Sequence, residues 1–216
     1  MQVISIIGQK GGSGKTTLAE IISVAAMRDG IEVLGIDLDP QVSFASWYDR
    51  RGQDSAPLVI DAQHGRLQHA LDTAAGQGVQ LCIIDTAGRA EGALHAAIKA
   101  ADLVLIPLQP TLPDLVTAEA VLDAIRFAGN PQHFAVLTRV KSRGTRHSDT
   151  AEWLEEKGLT VCPHVIGDRV TYQDAAAVGQ TPQEYEPGGK AAEECAGVHK
   201  FIMSHIQNIK TKGAAA

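Results

Sequence analysis

Residues 9–17 read Gln9-Lys10-Gly11-Gly12-Ser13-Gly14-Lys15-Thr16-Thr17, between an apolar run at 3–7 and a helix-forming segment at 16–28. A strand, a glycine-rich turn and a helix in that order make a phosphate-binding loop. The glycines let the backbone wrap so that successive N–H groups and the helix N-terminus point at phosphate oxygens. Lys15 supplies the ammonium that neutralises phosphate charge, and Thr16 the hydroxyl that reaches Mg²⁺. Gly11, Gly12, Ser13, Gly14 and Thr17 complete the cradle. The common G-x-x-x-x-G-K-[ST] spacing asks for glycine at position 9, where this chain has Gln9, and a second lysine follows at Lys10. The loop is a variant of the general motif.

On its C-terminal side the pattern turns into a βαβ rhythm, with a strand predicted at 33–37. Further strands are expected at 58–61, 81–85, 103–107, 134–138 and 161–166, and helices at 67–75, 94–100, 114–127, 149–157, 172–178 and 190–209. The strands are mostly continuous in apolar character, which marks strands buried on both faces, as in parallel sheets covered by helices. The expected fold is α/β, a mostly parallel twisted sheet flanked by helices on both faces. One domain over 1–210 is expected, with a flexible tail at 211–216.

Two carboxylate sites lie where strands end. Asp37 and Asp39 close the second strand two residues apart and so point to one face, toward metal and water; the alternative is that the pair caps the following helix. The run Leu81-Cys82-Ile83-Ile84 leads to Asp85-Thr86-Ala87-Gly88. Asp85 there is placed to bind Mg²⁺ through water, and Gly88 to let the loop swing toward the γ-phosphate.

Composition narrows the field. The 216 residues are 44% hydrophobic but 4% aromatic, so the core is built from Ala, Val, Ile and Leu, which suits close helix-on-sheet packing. A net charge of −6 speaks against a protein that coats nucleic acid over its whole surface and leaves room for a local basic patch. Cys82, Cys162 and Cys195 lie far apart with no metal-ligand spacing, and the eight histidines form no ligand pair. No signal-peptide layout and no stretch of 18 apolar residues occurs, so a cytoplasmic location is expected.

The variant K-G-G-x-G-K-[ST] resembles the signature of the deviant Walker A P-loop ATPases, a family that includes ParA, MinD and nitrogenase iron proteins. The resemblance implies that Lys10 reaches across a dimer interface to the nucleotide of the other subunit. It also implies that Asp37 sits near Lys15 and the metal shell, and that Asp39 positions the attacking water. Lys10, Lys15 and Asp39 are then catalytic, Thr16, Asp37 and Asp85 serve the metal, and ATP and Mg²⁺ are the cofactors. In this family the Thr138-Arg139 position borders the adenine, although a basic loop there is as readily a solvated one. The segment Ile166-Gly167-Asp168-Arg169-Val170-Thr171-Tyr172, with Gly179 and Lys190-Ala191-Ala192-Glu193, is similar to the C-terminal part of small ParA proteins.

Within the family, the resemblance to ParA proteins implies slow Mg²⁺-dependent ATP hydrolysis, an ATP-gated homodimer and sequence-independent DNA binding. It further implies nucleoid association and a centromere-binding or cargo-adaptor partner that stimulates turnover. Lys141, Arg143, Arg146 and Arg169 are the candidate DNA contacts, against the alternative that they are ordinary solvated charges. No helix-turn-helix pattern precedes the first strand, so operator-specific repression is not expected. Two rivals remain: positioning of a non-DNA cargo, and a MinD-like membrane role. The second would use the stripe Val198, Phe201, Ile202, Ile206 and Ile209 beside Lys200, Lys210 and Lys212. Packing of that stripe on the sheet is the preferred explanation, and no stable membrane association is expected. A bridging iron–sulfur cluster is disfavoured because Cys82 and Cys162 fall within predicted strands.

Overall fold

The computed structural model describes residues 1–52, 55–88 and 90–213, except the side chains of 207–213. In chain order the elements are β1 (Gln2–Ile6), α1 (Lys15–Arg28), β2 (Val33–Asp37), α2 (Ser43–Arg51), β3 (Leu58–Asp61), a 3₁₀ turn (His64–Arg66), α3 (Leu67–Gly76), β4 (Leu81–Asp85) and α4 (Glu91–Ala100). There follow β5 (Leu103–Leu108), α5 (Leu112–Phe127), β6 (Gln132–Leu137), α6 (Arg146–Glu156), α7 (Val170–Ala177), α8 (Pro182–Tyr185) and α9 (Lys190–Gly213). The six strands form one sheet in the order β3-β2-β4-β1-β5-β6, and each described pairing is parallel.

Alternation along the strands splits the core in two. Val3, Leu34, Ile36, Cys82, Ile84, Val104 and Ile106 pack toward α3, α4 and α5. Their neighbours Ile4, Ile6, Leu81, Ile83, Leu103 and Leu105 pack on the other face toward α1, α2 and α9. Small side chains let the layers approach: a Cβ added to Gly35 would lie 2.5 Å from the Phe44 ring and 2.9 Å from Val59. The stripe on α9 goes into the second core, where Val198, Ile202 and Ile206 are fully buried and Phe201 packs partly buried. Its remaining members, Ile209, Lys210 and Lys212, have side chains outside the described residues, as does 214–216 of the expected tail.

Because β1 lies in the middle and the chain leaves it toward both edges, the carboxyl ends of β1, β2, β4 and β5 meet where the strand order reverses. A ligand crevice of open α/β sheets opens at such a point.

Two sequence expectations need correction. The strand expected at 161–166 is an irregular segment that runs beside β6 and forms no ladder with it, its bridges being isolated ones, Ala135 with Val161 and, past the end of β6, Val140 with Gly167. Pro163 lacks the N–H that a ladder needs, so pairing breaks between the Cys162 N–H bond to the Ala135 carbonyl (2.8 Å) and the Ile166 N–H bond to the Leu137 carbonyl (2.8 Å). Helix α2 was absent from the expected elements, yet its buried Phe44, Trp47 and Tyr48 stand at helical spacing.

Candidate functional site

The loop after β1 turns through Gly12 (φ 75°) and Gly14 (φ 97°), backbone conformations that favour glycine, and delivers Lys15 to the start of α1. The loop after β4 lies against it: a Cβ on Gly88 would come within 3.2 Å of the backbone of Gln9, Lys10 and Gly11. Lys15 is buried and its Nζ donates to the Lys10 carbonyl at 3.1 Å. Burial pulls its pKa down, opposed by the charges of Asp85 and Asp39.

Thr16 Oγ1 donates to Asp85 Oδ2 at 2.6 Å, while Asp85 Oδ1 is buried with no hydrogen-bond partner among the described residues. Burial pushes the Asp85 carboxyl up to about 7; the Thr16 hydrogen bond and Lys15 oppose the shift, and Asp37 and Asp39 add to it. An orphaned carboxylate oxygen beside a threonine hydroxyl, under a loop shaped for phosphate, fits a magnesium ion. Among the described residues no group of three or more His, Cys, Asp or Glu converges on a metal position. That too suits Mg²⁺, which keeps several waters and substrate phosphates and takes few protein ligands. Thr16 and Asp85 are the residues that would hold it, and the ion would supply charge neutralisation at the phosphates.

Asp37 shapes the backbone around the site. Expected in the metal shell, it has both oxygens taken by backbone N–H groups: Oδ1 accepts from Asp39 (2.9 Å), and Oδ2 from Phe44 (2.9 Å) and Ala45 (3.1 Å). It caps α2 from outside that helix, whose N-cap residue, Val42, has no acceptor side chain. Asp37 thereby fixes the segment carrying Asp39, whose Oδ1 accepts from the Gln41 N–H at 2.9 Å.

Lys10 lies within its own subunit's site. Its Nζ donates to Asp114 Oδ2 at 2.5 Å, and Asp114, fully buried in the first turn of α5, also accepts from Thr111 Oγ1 (2.6 Å) and the Gln109 N–H (3.2 Å). Gln109 Nε2 donates to the Gly12 carbonyl at 2.8 Å, so the β5–α5 connection grips the phosphate loop twice. Asp114 and Gln109 escaped the sequence reading, although Thr111 and Asp114 stand three apart at a helix start, as a capping pair does. Glu20 was missed as well: it is buried on α1, one turn beyond Thr16, with its carboxyl pushed up to about 8 by burial first and by Asp85 second, against the pull of Arg50.

Thr17, Thr138 and Arg139 line a cleft of about 160 Å³ beside the loop, together with Gly167, Asp168 and Tyr172. Thr138 Oγ1 donates to the Ser13 carbonyl at 2.7 Å, which ties the end of β6 to the phosphate loop. Arg169, one of the candidate DNA contacts, also lines this cleft. Its Nε and Nη2 donate to Glu194 Oε1 at 2.9 and 2.7 Å, so it is a paired cation at the nucleotide side. Glu194 also accepts from the Gly167 N–H (3.0 Å) and the Tyr172 hydroxyl (2.9 Å). Burial raises the Glu194 carboxyl, but these partners outweigh it and hold it below the usual range. The other three candidate cations, Lys141, Arg143 and Arg146, are exposed and line one neighbouring groove of about 640 Å³.

With this geometry in place, relatives are informative. Residues 4–182 match the family described as the CobQ/CobB/MinD/ParA nucleotide binding domain. The chain is 32% identical over 211 residues to the maintenance of carboxysome distribution protein A of Gloeobacter kilaueensis, covering 95% of this chain and 94% of that protein. It is 29% identical to the protein ParA of Rhizobium radiobacter, with 80% and 81% covered. The cell division ATPase MinD of Pyrococcus furiosus superposes with a TM-score of 0.76 at 19% identity over 94% of this chain and 98% of that one, a likeness of fold.

Proposed function

Because the chain belongs to the CobQ/CobB/MinD/ParA nucleotide-binding domain family, we propose that it is a slow, Mg²⁺-dependent ATPase whose ATP-bound homodimer binds DNA without sequence preference. It uses that state to segregate or position a cargo. One observation carries the chemistry: the buried Thr16–Asp85 pair with an unpartnered carboxylate oxygen, set beneath the glycine loop and its lysine. Lys15 and the loop N–H groups bind and orient the phosphates, and Asp39, fixed by Asp37, orients the attacking water. Lys10 is the one cation of the loop positioned near its rim, 36% exposed, and reaches a partner's nucleotide once it leaves Asp114. A groove that gathers Lys141, Arg143 and Arg146 supports the DNA reading.

Hydrolysis is stimulated by a centromere-binding or cargo-adaptor partner, and the protein works on the nucleoid in the cytoplasm. A non-DNA cargo is the second reading, favoured by the 32% identity to a protein named for carboxysome distribution. Burial of Val198, Ile202 and Ile206 on α9 supports the reading without stable membrane association, and no helix among the described residues is long and apolar enough to cross a membrane. The test is phosphate release with Mg²⁺-ATP in wild type and Asp39→Ala. Retained ATP binding with turnover reduced at least about 100-fold is expected, as for loss of a positioned catalytic group. Unchanged turnover would remove Asp39 from the mechanism.

A further inference from the structure

Two arginines line the cleft beside the phosphate loop, Arg139 and Arg169, and they are held differently. Arg139 is exposed and forms no ion pair or side-chain hydrogen bond among the described residues, so a ligand that ordered it would have to offset lost rotamer freedom. Arg169 is ordered already. Its Nε and Nη2 donate to Glu194 Oε1 at 2.9 and 2.7 Å, while Glu194 Oε2 accepts from the Gly167 N–H (3.0 Å) and the Tyr172 hydroxyl (2.9 Å). Both carboxylate oxygens are therefore engaged. The helix that carries Glu194, α9, is anchored beside it by the buried Cys195, Val198 and Ile202.

The pair closes over a glycine. A Cβ on Gly167 would lie 3.0 Å from both Arg169 Nε and Glu194 Oε1, so a side chain here would crowd the ion pair. An arginine gripped along its Nε edge still offers Nη1 and two flat faces, and among the described residues Nη1 donates to no acceptor. With 31% of the side chain exposed beside the cleft, the guanidinium stays within reach of a ligand. The adjacent carboxylate offsets its charge, which weakens its pull on phosphate and leaves the planar surface as its chief contact. A flat, delocalised cation whose plane is set before the ligand arrives suits stacking on an aromatic base, because little ordering cost remains.

We infer that Arg169 is the stacking wall for the base of a purine nucleotide, and that Glu194 is the residue that positions it. Two fused rings cover more of the guanidinium than one, so purines are favoured over pyrimidines. The contact is to the base, so ADP and ATP gain from it alike and pyrophosphate gains nothing. This rests on the nucleotide reading of the proposed function.

The experiment is isothermal titration calorimetry with Mg²⁺-ADP, Mg²⁺-CDP and Mg²⁺-pyrophosphate. Arg169→Lys keeps a cation for Glu194 and loses the plane; Arg169→Leu keeps bulk and loses both. Each should weaken ADP about tenfold and CDP by less than about threefold, with pyrophosphate affinity unchanged. Glu194→Gln should weaken ADP in the wild-type chain and change nothing further when added to Arg169→Leu, since it acts through the arginine. That double variant also removes the carboxylate left unpaired in Arg169→Leu. ADP affinity that is unchanged in both arginine variants, or pyrophosphate affinity that falls in step with it, overturns the inference and leaves nucleotide binding standing. An equal loss from Glu194→Gln in both backgrounds overturns its positioning role. Wild type that binds neither ADP nor pyrophosphate defeats the nucleotide reading itself and this inference with it.

Discussion

At the residue scale the site is built from side chains whose ordinary charge is opposed by burial. Glu20 carries this furthest. Its carboxyl titrates near 4.5 when unfolded and is raised to about 8 in the fold, so the folded chain holds the extra proton between those values. The stability from neutral Glu20 is fully present below pH 4.5 and is lost as pH rises through 8. Glu20→Gln, which keeps the shape and cannot ionise, should stabilise the nucleotide-free protein by about 4 kcal/mol more at pH 8.5 than at pH 5. Urea unfolding at the two pH values checks it, and an equal effect at both would show that Glu20 does not ionise in this range.

Which residues were legible follows from how local their work is. Lys15, Thr16 and Asp85 announce themselves because a phosphate loop and a strand-end aspartate each occupy a few contiguous positions. Asp114, Glu194 and Glu20 act through partners far along the chain: Asp114 lies 104 residues from Lys10. Arg169 shows the same limit from the other side, since its charge is plain in the sequence while its Glu194 partner, 25 residues on, decides where that charge is spent.

At the element scale, continuous apolar runs located all six strands of the sheet to within two residues and added a seventh that does not form, because strands buried on both faces admit few polar residues. The failure at 161–166 came from weighing apolar character over the missing N–H of Pro163. Helix α2 matters most for function, since its N-terminus rests on Asp37, which also holds Asp39. Asp37→Ala removes an acceptor shared by two helix N–H groups and should destabilise the fold by about 1–2 kcal/mol. Turnover should fall with it, even where the protein remains folded. Where α2 packs on β2, Gly35→Ala would drive a methyl into Phe44 and Val59, lowering stability by about 1–3 kcal/mol in urea titration while the phosphate loop stays intact.

At the scale of the whole molecule, the sheet order brings the phosphate loop, the Thr16–Asp85 pair and the segment carrying Asp39 to one crevice, and it places the basic groove next door. The fold class and this crevice were readable from the alternation of strand and helix; the pairing of Lys10 with Asp114 was not, because it depends on how α5 packs against the loop. In the proposed ATP-bound dimer that pairing has to open, so that the lysine exchanges a fully buried carboxylate for phosphate oxygens across the interface. The most direct test is the association state of wild type and Lys10→Ala by light scattering, without nucleotide, with ADP and with Mg²⁺-ATP. Dimers of wild type with ATP alone, and monomers of Lys10→Ala throughout, are the predicted result; wild type that stays monomeric with ATP, or Lys10→Ala that dimerises as readily, would contradict it.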